Sequence, residues 1–375
     1  MRACQALGAT LEKFSDRVEI VGVAGKIPFA EDVIQAGNSG LILRLIGAVS
    51  ALCPQPIIIT GDYSIRHVRP LSPLLDALNQ LGVQAISTRG DGGAPILIRG
   101  PLHSGSVIMS GEDSQPVSGM LIASAFAPGP VEIFVTHPGE TPWIELTLSW
   151  LSRLKIPYSA QNFDYYRVEG NALIESFSYT VPADFSSLAY PLLAAVITGS
   201  EVKFENIDFS DVQGDKQLIA ILQNIGANIE CDEINKSLSV KKCKALQGIV
   251  VDVNACIDAT PILAVAGCFA EGKMELKGAA IARKKECDRI ACIVSELKKL
   301  GAKIEEHPEG LTVYPSSLKG AEVLSHADHR MALSLAVAGL MAKGETRIKE
   351  TACVEKSYPL FCEEMQKIGA DLQWY

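Results

Sequence analysis

Asp288-Arg289-Ile290-Ala291-Cys292-Ile293-Val294-Ser295-Glu296-Leu297-Lys298-Lys299-Leu300 reads as an amphipathic helix, and Gly301-Ala302-Lys303-Ile304-Glu305-Glu306 carries the chain from it into a strand. Gly301 has the place and chemistry of a helix C-cap. The same punctuation recurs as Leu7-Gly8-Ala9, Leu81-Gly82-Val83, Ile225-Gly226-Ala227 and Ile368-Gly369-Ala370, and Leu154-Lys155-Ile156 stands as a degenerate sixth copy. From position 8 to 82, 155, 226, 301 and 369 the steps are 74, 73, 71, 75 and 68 residues, a regularity that means one supersecondary unit used six times. Only seven residues precede the first glycine, so the chain is expected to begin near the end of its first unit.

Each full unit opens with a polar cap before a helix that is apolar nearly all round. The caps and helices are Asn38-Ser39-Gly40 before 41–52, Asp113-Ser114-Gln115 before 117–126, and Asp184-Phe185-Ser186-Ser187 before 188–197. Asp258-Ala259-Thr260 before 261–270 and Asp328-His329-Arg330 before 331–341 complete the set. Helices this apolar belong in the middle of a domain. Strand-like runs follow at 55–60, 129–136, 201–206, 273–277 and 344–350, then a second, amphipathic helix such as 71–81. The expected fold is α/β, with three such units in each of two domains of similar build. The N-terminal domain spans 1-180, holding a partial first unit and units two and three; the C-terminal domain spans 181-375.

Composition narrows the function. The hydrophobic share of 48% against 21% charged residues is that of an ordinary globular protein, and the longest apolar runs are about half a bilayer span. No membrane segment or secretory leader is expected. Ten cysteines without a Cys-x-x-Cys or cysteine–histidine cluster point to reduced thiols in the cytoplasm, not to a disulfide frame or metal site. A net charge of -9 speaks against nucleic acid but leaves anionic small molecules open, because local clusters decide those. No G-x-x-x-x-G-K-[ST] loop, strand-linked G-x-G-x-x-G or G-x-S-x-G occurs.

The chemistry lies in the caps and in recurring basic residues. Helices buried in parallel bring their N-termini to one end of a domain, where free N–H groups favour anions; taken singly, the same caps merely terminate helices. Arg44 shares the first helical turn with Gly40, Arg69 precedes Pro70 before a second helix, and Arg330 sits in a cap. Lys285, Glu286 and Arg289 are spaced to share one side of a helix start, and Lys356 precedes another helix. Asp258, Glu286 and Asp328 lie among these bases, an arrangement suited to acid/base work on an anionic substrate or, equally, to charge balance.

These segments resemble, in order, the signatures of the 5-enolpyruvylshikimate-3-phosphate synthase family. The matching residues are Asn38-Ser39-Gly40 with Arg44, Arg69-Pro70, Ser114-Gln115, Asp258-Ala259, Lys285-Glu286-Cys287-Asp288-Arg289, Asp328-His329-Arg330-Met331-Ala332 and Lys356-Ser357-Tyr358-Pro359. The resemblance implies an enolpyruvyl transferase-like fold, two domains of three βαβαββ units each around a cleft, monomeric and without metal or organic cofactor. It would transfer the enolpyruvyl group of phosphoenolpyruvate to the 5-hydroxyl of shikimate 3-phosphate. By the same resemblance Ser114, Gln115, Asp258 and Lys285 would contact shikimate 3-phosphate, and Gly40, Arg69, Gln115, Arg289, Arg330 and Lys356 would surround phosphoenolpyruvate. Asp258, Glu286 and His329 would be catalytic, with Asp328 in support.

Departures from the family pattern are Leu41 for a common Thr, Asp113 for a phosphate-binding Ser, and Glu140 and Trp143 for a Ser and a Tyr. A carboxylate at 113 is expected to repel the substrate phosphate. The family's Pro-Gly-x-Lys-Ser segment has no counterpart, so weak or absent catalysis is expected. Two other readings stay open: a catalytically silent binding protein or remnant, and a UDP-N-acetylglucosamine enolpyruvyl transferase. Against the latter, the loop Gly61-Asp62-Tyr63-Ser64-Ile65-Arg66-His67-Val68 lacks that group's usual cysteine.

Overall fold

A computed structural model describes residues 1–374. Its contacts divide the chain into two compact units, Met1–Ser178 and a second that begins at Tyr179, each with its own apolar core.

The repeat is visible in the strand pairing. In the first unit, Gly105–Ser110 pairs in parallel with Val131–Thr136. A parallel pair needs a crossover, and the buried helix Ser114–Ser124 supplies it. Helix Thr141–Arg153 then leads to the hairpin Tyr158–Gln161 and Tyr165–Val168, whose second strand returns antiparallel to Val131–Thr136. The preceding repeat has the same plan, with Ile34–Gln35, Ile57–Thr60, Ile96–Arg99 and Gln84–Ser87 side by side in that order. In the second unit Val250–Asp252, Met274–Lys277, Gly310–Tyr314 and Lys303–His307 repeat it again. The α/β repeats expected from the punctuation, in the βαβαββ form that the resemblance implies, are the architecture observed.

The punctuation has a stereochemical cause. Gly8, Gly82, Gly226, Gly301 and Gly369 all have left-handed φ, from +79° to +105°. That conformation ends the helix and turns the chain into the next strand, and glycine adopts it without a Cβ clash. Lys155 takes the same turn at φ +57° with a side chain in place.

The buried helices are crossed closely by small residues. A Cβ on Gly119 would lie 2.9 Å from the Arg44 carbonyl and 3.0 Å from the Ala48 Cβ, so the helix pair of the first unit approaches as near as glycine permits. All nine residues of Thr260–Cys268 are buried, as the apolar reading of that segment anticipates. Among the described residues no helix is long and apolar enough to cross a membrane.

The structure adds local detail to these expectations. The helix expected over 41–52 is a continuous helical run over 40–50 whose middle, Ile42–Ile46, is π-wound before Gly47–Ser50, and the Ser39 hydroxyl accepts the Ile42 N–H. Arg69 and Pro70 lie in the link between helices Tyr63–His67 and Ser72–Gln80. Lys285 follows the 3-10 turn Ala280–Lys284, so only Arg289 of the expected trio is helical. Arg330 lies inside helix His329–Leu340 behind its Asp328 cap, and Lys356 ends the 3-10 turn Thr351–Lys356 before helix Phe361–Lys367.

Candidate active site

Two polar clusters form at helix starts, one in each unit. In the first, Gly40 is the point where two guanidiniums converge: a Cβ there would lie 2.0 Å from Arg69 Nη1 and 2.7 Å from Arg44 Nη1. No larger residue fits without displacing Arg69, which is itself buried. Arg44 donates to the Pro70 carbonyl at 3.2 Å and pairs with Asp113 at 2.9 Å, tying the Arg69–Pro70 link to helix Ser114–Ser124. Asp113 also caps that helix by accepting the Gln115 N–H at 3.1 Å. Asp113 is thus paired with Arg44 and favoured by the helix N-terminus, so it does not stand as an isolated charge. Glu140 is 1% exposed and left-handed at φ +48°; its Oε2 accepts from the Ser114 N–H at 3.1 Å and from the Ser114 hydroxyl at 3.3 Å. Gln115 Oε1 is buried with no hydrogen-bond partner.

In the second unit one guanidinium organises the site. Arg289 donates through Nε to Asp328 at 2.7 Å, through Nη1 to Asp258 at 2.6 Å and through Nη2 to Glu286 at 2.6 Å. Arg330 holds the other Asp258 oxygen at 2.9 Å, and Lys356 donates to Glu286 at 3.0 Å. His329 Nδ1 stands 3.8 Å from Asp328 and 4.0 Å from Glu286. Asp258, read from sequence as a cap, is no cap: its carboxylate spans Arg289 and Arg330, and helix Thr260–Cys268 starts beyond it.

The charges set each other. Burial works to raise the Asp258 carboxyl, but Arg330, Arg289 and Lys285 prevail and hold it well below the usual carboxylate range. Burial opposes the charge on Arg289, and Asp328, Glu286 and Asp258 more than restore it. Burial, aided by Arg330, pushes the His329 imidazole down to about 4 against the pull of Asp328 and Glu286, so it is neutral near pH 7.

Sequence reasoning missed Asp215. It lies in the 3-10 turn Gly214–Lys216, is 1% exposed, accepts the Ser186 hydroxyl at 2.5 Å and faces Arg330 at 3.4 Å. Burial lifts its carboxyl to about 6 despite Arg330. A single aspartate after Gln213-Gly214 has no spacing that marks it, and only the tertiary fold delivers it to Arg330.

Comparison with known proteins agrees with this picture. The family model for EPSP synthase (3-phosphoshikimate 1-carboxyvinyltransferase) matches residues 1–365. A 3-phosphoshikimate 1-carboxyvinyltransferase of Acetivibrio thermocellus is 40% identical over 99% of this chain and 87% of its own length. That of Chlamydia pneumoniae is 38% identical over 99% of this chain and 83% of its own. The solved EPSP synthase of Acinetobacter baumannii superposes with a TM-score of 0.82 at 27% identity, covering 99% of this chain and 87% of that one. Matched in sequence and in structure over nearly its whole length, the chain belongs to the EPSP synthase family.

Proposed function

We propose that this chain transfers the enolpyruvyl group of phosphoenolpyruvate to the 5-hydroxyl of shikimate 3-phosphate, with the two clusters dividing the work. The 5-hydroxyl oxygen bonds to carbon 2 of phosphoenolpyruvate while carbon 3 takes up a proton. The tetrahedral intermediate then loses that proton and inorganic phosphate. By the family resemblance Gly40, Arg69, Gln115, Arg289, Arg330 and Lys356 serve phosphoenolpyruvate, whose carboxylate and phosphate suit guanidinium forks. Ser114 and Gln115 take shikimate 3-phosphate, and Asp258 and Lys285 take its hydroxyls.

The observation that carries this division of roles is Arg289 bound to three carboxylates at once. An anionic substrate that draws Arg330 and Arg289 toward itself withdraws positive charge from Asp258. The carboxylate then gains basicity at the moment the hydroxyl must lose its proton. Glu286, between Lys356 and Arg289, exchanges the proton at carbon 3. His329, neutral and 4.0 Å from Glu286, supports it, and Asp328 fixes Arg289. The rest is orientation and charge neutralisation of two anions.

No metal or organic cofactor enters this reading, and the enzyme works as a cytoplasmic monomer on small anions, apart from nucleic acid and membrane; the ten free cysteines support a reducing compartment. The test is phosphate release from the two substrates by the purified full chain. Phosphate release supports the reading, and turnover of about 1 per second or faster rules out both the silent role and the weak catalysis expected from the sequence. A folded protein that binds both substrates without releasing phosphate would favour a silent binding role instead.

A further inference from the structure

The proposed function seats the acceptor's phosphate at the start of helix Ser114–Ser124, and the inference drawn here rests on that reading. The donors at this helix start are held by the chain's own carboxylates. Ser114 gives its N–H and its hydroxyl to Glu140, and Gln115 gives its N–H to Asp113. An N–H carries one proton, so a phosphate oxygen and the Glu140 carboxylate compete for the same donor. A carboxylate that stays seated also lies within a few ångströms of the incoming dianion, where burial weakens screening. Asp113 is charge-balanced by Arg44, so Glu140 is the carboxylate that occupies donors a phosphate monoester needs.

We propose that Glu140 is a specificity-determining residue of the acceptor site: seated on Ser114, it stands in for the phosphate and shifts preference toward acceptors that carry a hydroxyl at that place. Phosphoenolpyruvate, held by other residues, is untouched by it.

The experiment measures binding and steady-state kinetics of the full chain, Glu140→Ser and Glu140→Gln, with shikimate 3-phosphate and with shikimate, its unphosphorylated counterpart. Glu140→Gln keeps the side chain's size and removes its charge, whereas Glu140→Ser also removes its bulk, so the pair separates charge from volume at this buried position. Glu140→Ser is expected to lower KM and Kd for shikimate 3-phosphate at least about tenfold. It should also widen the preference over shikimate, with KM for phosphoenolpyruvate within about twofold. Glu140→Gln should move the same way by a smaller factor. Unchanged or weaker affinity for shikimate 3-phosphate in both variants, or equal gains for both acceptors, overturns the inference. If none of the three proteins releases phosphate, the functional reading fails and the inference with it. Phosphate release by all three without improved shikimate 3-phosphate affinity sinks the inference alone.

Discussion

Asp113 and Asp328 open equivalent helices in the two units and do the same two things. Their backbones nearly coincide, φ −102° and ψ 120° against φ −105° and ψ 119°. Each gives one oxygen to the N–H two residues on and the other to a buried arginine, Arg44 in the first unit and Arg289 in the second. The surroundings differ. Arg44 also reaches a backbone carbonyl, whereas Arg289 also binds Asp258 and Glu286. The shared cap–arginine pair is scaffold; the added carboxylates turn one copy into a place where protons can move. The Asp113 side chain keeps 15% of its surface exposed, while that of Asp328 keeps 0%.

That contrast breaks most sharply at the arginines. Arg289→Met leaves Asp328, Asp258 and Glu286 together without their common cation, and a loss of about 3–5 kcal/mol in stability is expected. Arg44→Met, with Asp113 partly open to water, should cost about 2 kcal/mol. Urea unfolding measures both, and equal losses would erase the distinction.

The pH response should belong to the second unit. His329 binds a proton less readily folded than unfolded, so its contribution to stability is full above about 6.5 and is lost as the pH falls to about 4. The shift corresponds to about 3 kcal/mol. Asp215 acts in the opposite sense: its raised carboxyl contributes stability below its ordinary value near 4, and that contribution is lost as the pH rises to about 6. His329→Gln should therefore tilt the stability profile between pH 4 and 6 toward loss with rising pH, and Asp215→Asn should steepen the loss with falling pH. Thermal melts across that window check both signs.

A smaller effect separates binding from folding. Gly40→Ala forces a methyl onto Arg69 Nη1, so KM for phosphoenolpyruvate should rise about tenfold with little change in melting temperature. The smallest concerns the scaffold: Lys155→Gly relieves a side chain from a left-handed turn and should stabilise the chain by about 1 kcal/mol, read as a rise in denaturation midpoint.

The repeat was legible because its marks are local: a left-handed turn needs glycine, and an aspartate before an apolar run needs no distant partner to be read as a cap. The basic residues were legible as a set because they recur at matching places. What escaped depends on distant packing. Asp215 meets Arg330 across 115 residues of sequence, and Asp113 meets Arg44 only in the folded chain. The individual residue roles came from the family resemblance; the pattern alone left Asp258 open between a helix cap, which it is not, and an acid among bases, which it is.

The wide turn at Ile42–Ile46 works as a phase shifter. Gly40 must meet two guanidiniums while Leu43, Ala48 and Ala51 stay sealed in the core. A regular helix advances each residue by about 100°, whereas a π turn absorbs one residue without completing an additional coil. Point changes along this stretch alter only contacts. A one-residue insertion or deletion would rotate Arg44 away from Asp113, so length here should be less negotiable than composition.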